Sequence, residues 1–350
     1  MDDSDPGPPP ARARTIVELA RLAGVSPGTV SRALAEKPVV NAATAARIRM
    51  LAAEHDFRLN QMASRLRTRR TGVIGVAVPL GHERRQHLSD PFFMTMIGYL
   101  ADALTENGYD LMLSRVIPDA PDWLERLVDS GMLDGILLLG QSDQWEAIER
   151  VAARYRRLVA WGVSKPGQVH CAVGTDNRLG GRLAGEQLLA GGARRIAFLG
   201  DARAPELRDR FNGLADALAV AGAPPPQLWE THLSAEIMAP EIAAHLDRAT
   251  GAIDGILAGS DVIALSALRA LADHRLAVPD AVQVVGYDDL PIATQAVPRL
   301  TTVAQDFAAG AAAMVERLFA RIAGAESASL RLAPRLVTRD STRAGSDPSP

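Results

Sequence analysis

The stretch TIVELARLAGVSPGTVSRAL, residues 15–34, has the pattern of two short helices joined by a tight turn. Thr15 and Glu18 have the spacing of a capping box, in which a hydroxyl and a carboxylate each satisfy a free amide of the first turn. Ile16, Leu19, Ala20 and Ala23 then fall on one helical face and are expected to pack inward. Gly24 stands where the turn needs a residue tolerant of positive φ. Ser26 is the second N-cap, and Pro27 occupies the first helical position, where a missing N–H costs nothing. Val30 and Leu34 are expected in the core, with Thr29, Ser31 and Arg32 pointing away from it. An outward set of this kind suits the major groove of DNA. Arginine forks onto guanine or phosphate, and hydroxyls reach phosphate oxygens.

Working outward, Asn41 is expected to cap a third helix with Ile48, Leu51 and Ala52 on its apolar stripe. Phe57 to Asn60 follow, and Asn60 can cap a helix of about two turns, too short to be stable alone in water. Leu66 between Arg65 and Arg67 makes little sense as core. It suits an apolar wedge pushed into a minor-groove step.

From Thr15 to Gly75 the chain resembles the head and hinge of the lactose/galactose-repressor (LacI/GalR) family. VSPGTVSRAL, the Asn41 helix and FRLNQMASRLRTRRTGVIG carry the likeness. The resemblance implies DNA contacts at Ser26, Thr29, Ser31, Arg32, Asn41, Thr44, Phe57, Asn60, Ser64 and Leu66. The two positions that often discriminate bases in such proteins are Pro27 and Gly28, neither with a hydrogen-bonding side chain. Base readout is therefore expected to lean on Arg32, hinge insertion and DNA shape.

The 350 residues suffice for a small head and two α/β lobes, and a hydrophobic content of 47% supplies a full core. The net charge of −3 hides an asymmetry: Ala11 to Gly72 carry 12 Lys/Arg against 4 Asp/Glu, and residues 73–350 carry −8. A basic head on an acidic body matches phosphate binding by the head alone. Cys171 is the single cysteine, which excludes an intramolecular disulfide and fits a reducing cytoplasm. MDDSDPGPPP is neither a signal peptide nor an anchor, and no apolar run spans a bilayer, so no membrane partner is expected.

Beyond Val73, short apolar runs alternate with helical periods. Strands are expected at Val73–Val78, Leu111–Ser114, Gly135–Leu139, Leu158–Trp161, Ile196–Leu199, Gly255–Ala258 and Val282–Gly286. Helices are expected at Phe92–Asn107, Asn177–Ala190, Leu207–Ala221, Val262–Asp273 and Asp306–Ile322. This implies an α/β fold of doubly wound parallel sheets, with the chain crossing back between lobes after Leu300–Val303. Ligands bind at the carboxyl ends of such strands.

VGTDNRLGGRLAGEQLLAGGARRIAFLGD, ILAGSDVIALSALRAL, VPDAVQVVGYDDLPIA and PRLTTVAQDF resemble the two-lobed, periplasmic-binding-protein-like core of the same family. The resemblance implies effector contacts at Phe92, Phe93, Arg210, Asp288, Gln305 and Phe307, with looser transfers to Glu206, Leu233 and Ser260. Gln141 and Asp143 follow a strand end and are further polar candidates. Plainer readings stand beside these: helix core for the two phenylalanines, interlobe salt bridges for Arg210 and Asp288, and helix caps for Asp176-Asn177 and Asp261. Gly180, Gly181, Gly191 and Gly192 serve close packing and helix ends.

Enzyme signatures are missing: no GxxxxGK[ST], no GxGxxG after a strand, no GxSxG elbow between strand and helix. The histidines show no metal-ligand spacing, and His82, His87 and His170 are expected to be solvated in loops. The expected organisation is a tail at 1–11, a helix-turn-helix head at 12–59, a hinge helix at 60–71, a two-lobed effector and dimerisation domain at 72–340, and a disordered tail at 341–350. The expected protein is a cytoplasmic homodimeric transcriptional regulator, a repressor, on a pseudo-palindromic double-stranded DNA operator. It needs no cofactor or metal, and a small effector, a sugar or sugar derivative, switches it. A purine or nucleoside effector is the alternative, and an α/β enzyme with a DNA-binding head a more distant one.

Overall fold

The computed structural model describes residues 13, 15–35, 39–57, 70–80, 85–141, 143–249 and 253–344. The chain divides into two compact units, Met1–Thr71 and Gly72–Pro350. The tail at 1–11, most of the hinge, and with it Asn60, Ser64 and Leu66, lie outside the described residues, as does His82.

In the first unit, α1 (Ile16–Ala23), α2 (Pro27–Leu34) and α3 (Ala42–Glu54) enclose a small core. Both halves of the Thr15–Glu18 capping box are formed, each at 3.2 Å. Gly24 ends α1 at φ 62°, and its N–H reaches back to the Ala20 and Arg21 carbonyls. Leu19, Ala20, Ala23, Val30, Ala33, Ile48 and Ala52 are buried together.

The second unit holds two six-stranded sheets. The first runs β11 (Leu330–Leu332), β5 (Cys171–Thr175), β4 (Leu158–Trp161), β3 (Gly135–Leu139), β1 (Val73–Pro79), β2 (Asp110–Val116), all parallel. The second runs β12 (Arg335–Val337), β10 (Thr301–Ala304), β9 (Gln283–Asp288), β8 (Gly255–Ala258), β6 (Ile196–Leu199), β7 (Gln227–Trp229). Here only β12 is antiparallel, against β10. Central strands such as GILLL of β3 are buried at every residue, as a sheet covered on both faces requires.

The first sheet packs between α4 (Pro91–Glu106) with α11 (Phe307–Ile322) on one face and α5 (Trp123–Val128) with α6 (Trp145–Ala152) on the other. The second packs between α7 (Asn177–Ala190) with α8 (Pro205–Val220) and α9 (Ala235–Arg248) with α10 (Asp261–Asp273). The chain changes lobe between β5 and β6, and again after β10, where α11 returns to the first lobe through Phe307, Met314 and Leu318. A third change joins β11 to β12. Among the described residues, no helix is long and apolar enough to cross a membrane.

Three expectations change. The disordered tail does not begin at Ser341. Ser341 and Thr342 are buried, because the Ser341 hydroxyl accepts from Thr301 N (2.8 Å) and donates to the Val284 carbonyl (2.6 Å). Arg343 N donates to Gln283 Oε1. Asp261 does not cap its helix: Ser260 does, accepting from Ile263 N. Asp261 is instead wholly buried, accepting from Thr302 Oγ1 (2.6 Å) and Leu290 N (2.8 Å). His170 is buried rather than solvated, whereas His87 is exposed.

Candidate functional site

On the head, α2 starts at Ser26, whose hydroxyl accepts from Thr29 N and lies 2.9 Å from Thr29 Oγ1. Ser26, Pro27, Arg32 and Asn41 are exposed, and Gly28, Thr29 and Thr44 are half-buried. A Cβ on Gly28 would lie 3.8 Å from Arg32 Nη2, so the guanidinium lies back along the turn that the glycine leaves bare. Ser31 departs from the expected outward set: it is buried, one residue from Val30 and two from Ala33. Phe57 is half-buried and packs against the head's own core. Asn41 spends its side-chain oxygen on Ala43 N. The outward chemistry of α2 is thus a hydroxyl pair and one arginine. Ser26→Ala removes the α2 cap and should cost about 1 kcal/mol, read as a roughly fivefold loss of hydrogen-exchange protection at α2 amides.

In the second unit, the carboxyl ends of both sheets face one cavity. Pro79 of β1 with Leu80 after it, Leu139 of β3 with Gly140 after it, and Trp161 of β4 form the wall of one lobe. Gly259 and Ser260 after β8 and Asp288 at the end of β9 form the other. The N-termini of α4, with Asp90, Phe92 and Phe93, and of α8, with Ala204, Glu206, Leu207 and Arg210, complete it. Of the residues predicted to touch an effector, Phe92, Phe93, Glu206, Arg210, Leu233, Ser260 and Asp288 line this cavity.

Arg210 is buried, and its position is fixed on three sides. Nε donates to Asn177 Oδ1 (2.8 Å), Nη1 donates to the Gly259 carbonyl (2.5 Å), and the guanidinium lies 3.6 Å from the Tyr287 ring centroid. Asp288 sits at φ 119°, buried, and accepts from Gln305 Nε2 at 2.7 Å. Burial pushes its carboxyl well above the usual range, with Arg210 pulling the other way. Burial also raises Asp90, against bonds from Gln86 and Phe92 N. Phe92 meets Phe93 and Phe307 edge-on, at 5.5 and 5.7 Å between centroids.

Four predicted contacts lie elsewhere. Gln305 and Phe307 line a different depression. Gln305 accepts from Thr175 Oγ1 (2.6 Å), so it bridges the end of β5 in one lobe to Asp288 in the other. Phe307 backs Phe92 from behind. Gln141 is fully buried within the first lobe, donating from Nε2 to the Val163 carbonyl and to His170 Nε2. That assigns the ring proton of His170 to Nδ1, which donates to Glu149 Oε1 (2.5 Å). Burial holds the His170 pKa below its usual value despite Glu149, consistent with a neutral ring. Asp143 is exposed and accepts from Gln144 Nε2. The reading from sequence missed Gln86, Asp90 and Trp161. The Asp90-Pro91 pair was the available signal, a cap and first-turn proline opening a helix at the cavity edge. Among the described residues, no group of His, Cys, Asp and Glu could hold a metal ion.

Comparison with known proteins places this geometry. Residues 15–60 match the model of bacterial regulatory proteins of the lacI family, and residues 186–342 match that of a periplasmic binding protein-like domain. An uncharacterized HTH-type transcriptional regulator in the aml 5′ region of Streptomyces limosus is 32% identical, over 93% of this chain and 94% of that protein. The crystal structure of the lac repressor dimer bound to operator and the anti-inducer ONPF superposes with a TM-score of 0.81 at 25% identity, covering 94% of this chain and 98% of the other. A complex of the transcriptional regulator CelR with cellobiose gives 0.66 at 29% identity, covering 94% and 100%. The chain therefore belongs to the lacI family of bacterial regulatory proteins, which are transcriptional regulators and not enzymes.

Proposed function

We propose that this regulator is a homodimeric repressor whose operator affinity is switched by a sugar held in the cleft of its second unit. Residues 12–59 read the operator, 60–71 form the hinge, and 72–340 bind effector and dimerise. Two heads on a twofold axis call for a pseudo-palindromic operator. Ser26, Pro27, Gly28, Thr29, Arg32, Asn41 and Thr44 form the DNA-facing set of the head, Asn60, Ser64 and Leu66 that of the hinge. Arg32 is the principal base or phosphate reader.

The observation that carries the effector reading is the cleft itself. Aromatic rings at Phe92, Phe93 and Trp161 line one cavity together with carboxyls at Asp90, Glu206 and Asp288 and the fixed Arg210. Rings stack on the C–H face of a sugar, and the polar set exchanges hydrogen bonds with its hydroxyls. The cellobiose held by CelR and the anti-inducer held by the lac repressor support the same reading. A sugar that favours one arrangement of the lobes shifts the balance between DNA-bound and free protein.

The test is selection of genomic fragments by the full-length protein, footprinting of the enriched site, and titration of that complex with sugars. The expected footprint has two symmetric half-sites, and one sugar lowers operator affinity at least about tenfold. A footprint without symmetry, or an operator complex indifferent to every sugar, would overturn the proposal. Arg32→Ala should weaken specific binding by roughly 5- to 150-fold, corresponding to one lost bidentate contact. An unchanged affinity would move the readout elsewhere.

A further inference from the structure

We propose that the cleft selects carbohydrates that carry no phosphate or carboxylate, and that Asp90 and Glu206 enforce this choice. The inference deepens the effector reading above and rests on it.

In an α/β fold, helix N-termini gather at the carboxyl ends of the strands, and each is a ready-made anion site through its free amides and the helix dipole. Among the described residues, three helices begin at this cavity, and the protein's own side chains stand at the start of each. At α4, Pro91 in the first turn has no N–H to offer. The Phe92 amide is taken by Asp90 Oδ1 (2.9 Å), while Asp90 Oδ2 accepts from Gln86 Nε2 (2.9 Å). At α8, Pro205 again removes a donor, and Glu206 follows it in the first turn and lines the cavity. At α10, the Ile263 amide goes to Ser260 Oγ (3.2 Å). A phosphate entering here would meet carboxylates at α4 and α8 and a hydroxyl at α10, where other folds of this kind present amides.

The side chains of the wall agree. Among the described residues, its charged members are Asp90, Glu206, Asp288 and a single cation, Arg210. That cation is already committed to Asn177, the Gly259 carbonyl and the Tyr287 ring. The nearby cations Arg85 and Arg115 line a separate depression with His87 and Glu236. Burial already raises Asp90 and Asp288, so the site disfavours negative charge, and an added anion would meet the same loss of water. Hydroxyls escape both penalties, because they donate to a carboxylate and accept from a carboxylic acid. An amine is tolerated for the same reason that an anion is refused.

Isothermal titration of the full-length protein with D-glucose, D-ribose and cellobiose, and with glucose 6-phosphate, ribose 5-phosphate, D-glucuronate and D-glucosamine, tests this. At least one neutral sugar should bind, with its phosphorylated or carboxylated counterpart at least about 100-fold weaker, the scale of one like-charge encounter in a low-dielectric site. Glu206→Gln and Asp90→Asn keep an acceptor oxygen and should narrow that gap to about tenfold or less. A phosphate ester binding as tightly as its parent sugar would overturn the inference and leave the sugar reading intact. A gap unchanged in both variants would overturn the role given to Asp90 and Glu206. Failure of every compound to bind would overturn the effector reading beneath it, and the inference with it.

Discussion

Gly181→Ala should destabilise the Gly72–Pro350 unit by about 3 kcal/mol or more and weaken binding in the cleft as well. Helices α7 and α8 pack closely against each other, and they meet through glycines. A Cβ on Gly181 would overlap the carbonyl oxygen of Arg210, and one on Gly213 would overlap that of Arg178. Both obstacles are backbone, so no rotamer change relieves them. The new methyl returns about 1 kcal/mol of helix propensity. Overpacking commonly costs about 1–3 kcal/mol, and here whole helices must separate, so the steric term wins. The functional consequence follows from where α8 leads: it carries Glu206 and Arg210 to the cavity, and the displaced carbonyl is that of Arg210 itself. A urea titration should show a lower midpoint with an unchanged slope. A midpoint equal to or above that of the wild type would mean that the helices are held apart by something other than these contacts.

Much of this architecture was legible because the residues that set it act locally. The capping box at Thr15, the cap at Ser26 and the apolar runs GILLL and IAFL depend on neighbours within a turn or on simple burial. Four of the seven expected strands carry the observed bounds, and the others differ by one or two residues. The elements missed include β5, α5 and α6, whose apolar runs or faces were there to be read, and others that lack a local signature. β7, β11 and β12 have three residues each, and Pro240 interrupts the helical pattern of α9. Ser341 lies in a polar, Pro-containing end, and only its bonds to Thr301 and Val284 show that it belongs to the second sheet.

The candidate site divides along the same line. Phe92, Phe93, Arg210 and Asp288 sit next to strand ends or helix starts, which topology alone brings to the cleft. Gln141 also follows a strand, but its amide turns inward to complete the Glu149–His170 chain, an arrangement written in residues far apart in sequence. Gln305 is displaced for a similar reason. Thr175 and Asp288 draw its amide behind the cavity, where it ties the lobes together. Ser31 shows the converse limit: on a helix as short as α2, polarity predicts exposure less well than position does. Buried polar groups are chosen by their partners, and partners are a tertiary property.

Asp261→Asn should remove a stability loss that the wild-type unit suffers between pH 5 and pH 8. The carboxyl is fully buried at the start of α10, and burial pushes its pKa up to about 7. Hydrogen bonds from Thr302 and Leu290 N favour the ionised form, as does Arg339, while Asp289 opposes it. In the unfolded chain an aspartate titrates at about 3.9. The folded state therefore holds this proton more tightly than the unfolded state. Its contribution to stability is complete below about pH 4 and is lost as pH rises through about 7. Across pH 5 to pH 8 the loss is on the order of 2–3 kcal/mol. Asparagine does not titrate and can still accept from Leu290 N through its carbonyl while donating to Thr302 Oγ1, so the fold is kept. Urea midpoints of both proteins, measured at several pH values, should fall for the wild type relative to the variant as pH rises. Parallel curves would mean that Asp261 is ionised throughout, held by Thr302, Leu290 and Arg339 against its burial. The placement beside Asp288 gives the effect its interest. Of two buried carboxyls, one lining the cavity and one behind it, the hidden Asp261 raises the affinity of Asp288 for a proton. Removing the charge at residue 261 should therefore ease ionisation of Asp288 and strengthen its acceptance of a sugar hydroxyl near neutral pH.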